Sequence, residues 1–159
     1  MSLRHAIVAL CCAGAVAGCG AGPATSPSGS EASPASRPTQ TLTGDKRAAG
    51  ATLPDEVDGW RLARRTDGAG GAKLHFYARP GDAKTQLIAT LTPVALTSEA
   101  LAKALSGVQT IGPATCGSVA GGATPACYVP LDGGNLSVTA PLPLDQLAAI
   151  TGHLYAALG

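Results

Sequence analysis

Between Trp60 and Leu91 the apolar side chains recur at alternate positions, and glycine-bearing turns break the run twice. Trp60 and Leu62 alternate with Arg61 and Ala63. After the turn TDGAGG, Leu74, Phe76 and Ala78 alternate with Lys73, His75, Tyr77 and Arg79. Past Gly81-Asp82 the pattern returns as Leu87, Ala89 and Leu91. Successive side chains leave opposite faces of a strand, so a period of two between turn residues commits this stretch to half-buried antiparallel strands. Trp60, Leu62, Leu74, Phe76, Ala78, Leu87, Ala89 and Leu91 are expected inward.

The remaining patterns alternate helix and strand. TSEALAKALSG has Thr97 placed to cap a short helix, Glu99 near its positive end and Gly107 able to stop it. A short strand at Val108 to Ile111 and the loop GPATCGSVAGGATPAC follow. Cys127 to Leu131 and Asn135 to Ala140 then flank Asp132-Gly133-Gly134 as a hairpin. Pro143 opens a last helix in which Leu144, Leu147, Ile150, Leu154 and Leu158 form one apolar stripe. The expected fold class is α+β: a single small domain over residues 51–159, an antiparallel sheet with both helices packed on one face.

Upstream the character changes. From Gly20 to about Gly50 the chain is rich in Pro, Ser, Thr, Ala and Gly, and Leu42 is its only large apolar residue. Such a segment buries too little to offset the entropy of ordering, so residues 19–50 read as a disordered tether. Further upstream, Met1 to His5 carries Arg4, and Ala6 to Ala17 runs without a charge. A positive start, a short apolar run and small residues after it mark a secretory signal peptide over residues 1–18. At about 12 residues the run is well short of the ~20 that a membrane-spanning helix needs.

Val16-Ala17-Gly18-Cys19 resembles the lipobox of bacterial lipoproteins, in which a branched aliphatic, a small residue and Gly or Ala precede a cysteine. The resemblance implies that the Cys19 thiol takes a diacylglyceryl group and that a peptidase cuts between Gly18 and Cys19. Cys11 and Cys12 would leave with the signal. Two acyl chains are enough for stable anchoring. The implied partner is the membrane, through the N-terminal anchor, and the implied location is the outer face of the cytoplasmic membrane. The Trp60 region, the paired downstream cysteines and the last amphipathic helix resemble small exported lipoproteins of actinobacteria with no assigned activity.

Removing Cys11, Cys12 and Cys19 leaves Cys116 and Cys127, and an even remainder in an exported chain favours a disulfide. A metal site from both thiols with His75 and His153 is the competing arrangement, but the spacing resembles no zinc motif. No metal or cofactor is expected.

The formal net charge of +1 excludes a strongly basic nucleic-acid binder. No nucleophile elbow, phosphate loop, His-Glu-x-x-His or dinucleotide fingerprint occurs, so no catalytic residue is assigned. One surface stands out. Arg61, Arg65, Lys73 and Arg79 fall on the expected outward face of the first hairpin with His75 and Tyr77, a candidate ligand-facing surface for an anionic glycan, a wall polymer or lipid phosphate. The bland alternative is an open polar face covered by water. Two function classes remain: a non-enzymatic binding or accessory module displayed on the membrane, whose partner is a cell-wall polymer or an envelope protein, and a small envelope enzyme or enzyme inhibitor. A solute receptor of a transporter is a weaker third, because such proteins have two lobes and a longer chain.

Overall fold

A computed structural model describes residues 39–159. The signal peptide, the Gly18–Cys19 cleavage site, the Cys19 anchor and the tether up to residue 38 lie outside the described residues.

The alternation around Trp60 becomes β1 (Glu56–Val57), β2 (Trp60–Asp67), β3 (Lys73–Arg79) and β4 (Asp82–Thr92). Helix α1 (Ser98–Ala104) leads directly into β5 (Leu105–Ile111), followed by β6 (Ala114–Val119), β7 (Pro125–Leu131), β8 (Gly134–Thr139) and helix α2 (Leu144–Ala156). All eight strands join one antiparallel sheet in the order β1-β2-β3-β4-β8-β7-β6-β5. The fold is mainly β, with two helices. Among the described residues no helix is long and apolar enough to cross a membrane.

The helices do not share a face. Along β7, Cys127, Val129 and Leu131 belong to the main core with Leu147, Ile150 and Leu154 of α2. Their neighbour Ala126 belongs instead to a second cluster with Leu96, Leu101 and Leu105, against which Tyr128 packs. Alternate residues of a strand point to opposite faces, so α1 and α2 cover opposite sides of the sheet. Leu101 of the seven-residue α1 is completed by Leu42, from the segment assigned to the tether.

That segment is the second difference. The Leu42 amide donates to the Leu96 carbonyl at 2.7 Å and the Ser98 amide to the Gln40 carbonyl at 2.9 Å. Further on, the Asp132 amide donates to the Lys46 carbonyl at 2.8 Å and the Ala48 amide to the Asp132 carbonyl at 2.9 Å. The Lys46 ammonium donates to the carbonyls of Ala156 and Leu158, at 2.8 and 2.9 Å, where the end of α2 concentrates negative partial charge. Residues 39–50 thus lie along the domain as a strap held by backbone hydrogen bonds, which a composition count does not register. The boundary drawn at residue 51 falls inside the packed body.

The third difference is the facing of β3. Tyr77 has no exposure and His75 only 7%, while Leu74, Phe76 and Ala78 are partly buried on the other side. Tyr77 and His75 stand opposite Leu87 and Ala89 of β4, both fully buried. Either parity of Leu-His-Phe-Tyr offers bulky side chains. The one chosen lets the Tyr77 hydroxyl reach a carbonyl, and it leaves Phe76 beneath the Arg64 guanidinium, 4.3 Å from the ring centre.

Candidate functional site

The register of β2 against β3 shifts between Leu62 and Arg64. A bulge inserts one residue and re-aims the side chains beyond it. Leu62 stands opposite Tyr77 and, past the bulge, Arg65 opposite His75 and Asp67 opposite Lys73. Arg65, Asp67, Lys73 and His75 line a cleft of about 480 Å³, closed on its other side by Ala51, Thr52 and Leu53. The Thr52 amide donates to the Gly159 carbonyl at 3.0 Å, tying this wall to the chain's end.

His75 is the buried polar group of the cleft. Its Nδ1 is sealed from solvent and has no hydrogen-bond partner. Burial, and then the nearby Arg65 charge, hold the imidazole below its ordinary pKa, while Asp55 and the Lys73 backbone carbonyl pull the other way. The ring is therefore kept neutral. Arg65 pairs with Asp55, and Lys73 Nζ lies 2.7 Å from Asp67 Oδ1. All four of these side chains are well exposed, so neither pair is strong. A second hollow, of about 220 Å³, shares Ala51 and Lys73 as walls and continues past Ala48, Gly71, Leu91 and Pro93.

The candidate surface of Arg61, Lys73, His75, Tyr77 and Arg79 is thereby divided. Lys73 and His75 come together, with Arg65. Arg61 stands opposite Ala78 on the other face of the sheet, 3.3 Å from Glu56. The Arg79 guanidinium lies 4.6 Å from the centre of the Trp60 ring. Tyr77 is core: its hydroxyl donates to the Pro54 carbonyl at 2.8 Å, and burial pushes the phenol up to about 12. Asp67 falls in the TDGAGG turn of the sequence pattern and Ala51–Leu53 lie outside any strand, so neither is expected in the site. The one signal in the sequence is Arg64-Arg65, two adjacent cations that break the alternation set by Trp60 and Leu62.

The other expectations concern cysteine and histidine. Cys116 and Cys127 face each other across β6 and β7 and form a disulfide, with Cα atoms 4.0 Å apart. His153 Nδ1 lies 2.8 Å from Asp58 Oδ2, which joins α2 to the β1–β2 turn. Among the described residues no cluster of three or more His, Cys, Asp or Glu side chains is arranged to hold a metal ion. No protein-family model, curated protein or solved structure matches the chain.

Proposed function

We propose that the protein is exported, lipid-anchored through Cys19 and displayed on the outer face of the cytoplasmic membrane as a non-enzymatic binding module. The likeness of Val16-Ala17-Gly18-Cys19 to a lipobox, behind a charged start and an apolar run, supports the anchor. The Cys116–Cys127 disulfide supports an oxidising compartment.

The cleft at His75 carries the binding reading. Its volume lies in the range of small-molecule sites, and it combines an apolar wall at Leu53 with a few polar groups. The binding reading is preferred because the sequence carries no nucleophile–base or metal-binding motif to pair with this histidine.

Fractionation of cells expressing the parent and Cys19→Ser tests the anchor. The parent is expected in the membrane fraction with an acylated N-terminal cysteine, and the variant is expected to be unprocessed. A variant matured and held in the envelope like its parent would falsify the anchored reading.

A further inference from the structure

Charge is unevenly spread along the groove at His75. Its larger end carries Arg65, Asp67 and His75 beside Leu53 and Leu74, whereas apart from Lys73 the smaller end carries alanines, glycines, Leu91, Thr92 and Pro93. Lys73 and Ala51 stand where the two hollows share walls.

At the polar end Arg65 and Lys73 offer charged donors beside the His75 ring. With Nδ1 sealed, Nε2 is the ring nitrogen that can meet a ligand. Arg65 and Lys73 each have one carboxylate partner, in exposed pairs that an incoming anion can displace, and their other N–H groups remain open. A guanidinium in particular matches a carboxylate or phosphate with two parallel hydrogen bonds.

We propose that this groove takes a linear amphiphile with a single anionic head, a carboxylate or a phosphate. The head lies among Arg65, Lys73 and His75, and the apolar body runs past Ala51 toward Leu91 and Pro93. The assignment rests on the binding reading of the cleft under "Proposed function".

The test uses the full chain, purified and held in amphipol rather than detergent, followed through its backbone amide resonances. Octanoate and octyl phosphate are titrated beside 1-octanol, which lacks the charge, and acetate and inorganic phosphate, which lack the tail. Saturable shifts are expected at Ala51, Lys73 and His75 with the two amphiphilic anions. Binding by the other three probes should be weaker by about tenfold or more, because 1-octanol loses the charge-assisted hydrogen bonds and acetate and inorganic phosphate lose the apolar burial. Whichever anion binds more tightly assigns the head as carboxylate or phosphate. In Arg65→Gln/Lys73→Gln the anion affinity should fall by a similar factor, with amide positions away from the groove unchanged.

Equal binding of 1-octanol, an unaffected variant, or no saturable shift with either anion overturns the ligand class and leaves the anchored-module reading standing. Turnover of 4-nitrophenyl octanoate, an uncharged ester, that disappears in His75→Phe overturns the non-catalytic reading, and the anion titrations then decide the ligand class separately.

Discussion

The Tyr77 hydroxyl donates to the Pro54 carbonyl oxygen at 2.8 Å from a side chain with no solvent exposure. This one bond selects the facing of β3 and pins the chain just before β1 against the inner side of the sheet. Tyr77→Phe keeps the ring and removes the donor, and is expected to cost about 1–2 kcal/mol. The same burial moves the phenol from an ordinary 10.0 to about 12. Between those values the unfolded chain loses this proton and the folded chain keeps it. Stability is therefore complete below pH 10, falls as pH rises toward 12, and loses roughly 2–3 kcal/mol from this group. Denaturant titrations across that window should show a steep loss in the parent and a shallower one in Tyr77→Phe. Tyr128, raised by burial, and Lys103, raised by its hydrogen bond to Glu99, contribute to the remaining slope. Parallel curves would remove Tyr77 from the account.

His75 acts at the other end of the pH scale. Its folded pKa is lowered from 6.5, mainly by burial, so the unfolded chain takes up a proton first as pH falls. Its contribution is whole above 6.5 and declines as pH drops through the folded value. His75→Phe replaces a buried ring with an unpaired nitrogen by an apolar ring. At about pH 7 it is expected to change stability by less than about 1 kcal/mol in either direction. Between about pH 7 and pH 5 the variant should lose less stability than the parent. Direct titration of the imidazole resonances checks the cause: a midpoint at or above the ordinary value would contradict the burial argument.

Cys116 and Cys127 are separated by 11 positions, and the chain between them turns through Ala120, Gly121 and Gly122. Closing so short a loop restrains few unfolded conformations, worth somewhat under ~3 kcal/mol on the chain-entropy model. Cys116→Ala/Cys127→Ala should lower the unfolding free energy by about that amount without altering the β6–β7 pairing. Reductant should destabilise the parent and leave the double variant unmoved. Equal sensitivity to reductant in both would show that the bond carries no stability.

Much of this architecture can be read from particular residues. Leu87, Ala89 and Leu91 are buried on one face of β4, and Thr97 accepts from the Ala100 amide at the start of α1. Asp132 and Gly133 turn β7 into β8, and Leu147, Ile150 and Leu154 of α2 face the core. These positions announce themselves because size or turn chemistry admits one solution. Strand β6 does not. Its sequence ATCGSV reads as loop, yet Gly117 is required there because a Cβ would meet the Ser106 carbonyl oxygen at 2.6 Å. In the site, Lys73 and His75 are legible as neighbours on alternate positions of one strand. Their cleft is not, since it depends on a bulge in β2 and on a wall from Ala51–Leu53 that no local period encodes.

Gly44 separates the composition of the strap from its structure. A glycine in a flexible tether tolerates alanine, with at most a gain of about 0.4–1 kcal/mol from a less mobile unfolded chain. In the strap, a Cβ at this position would lie 1.9 Å from the Pro130 carbonyl oxygen and 3.2 Å from the Leu131 Cα, both backbone atoms that cannot swing aside. Gly44→Ala is therefore expected to lift the strap locally, at a cost of about 1–3 kcal/mol, the range for an overpacked contact. Lys46 and Arg47 lie two and three residues beyond it and are held while the Lys46 ammonium caps the end of α2. Under native conditions trypsin should cut after these two residues roughly tenfold or more faster in the variant, as a local opening of that free energy implies. Amide exchange at Leu42, Ala48 and Asp132 should accelerate with it, while Val129 and Leu136 in the sheet stay protected. Identical cleavage rates in the two proteins would mean that residues 39–50 are not docked, and that the domain does begin at residue 51.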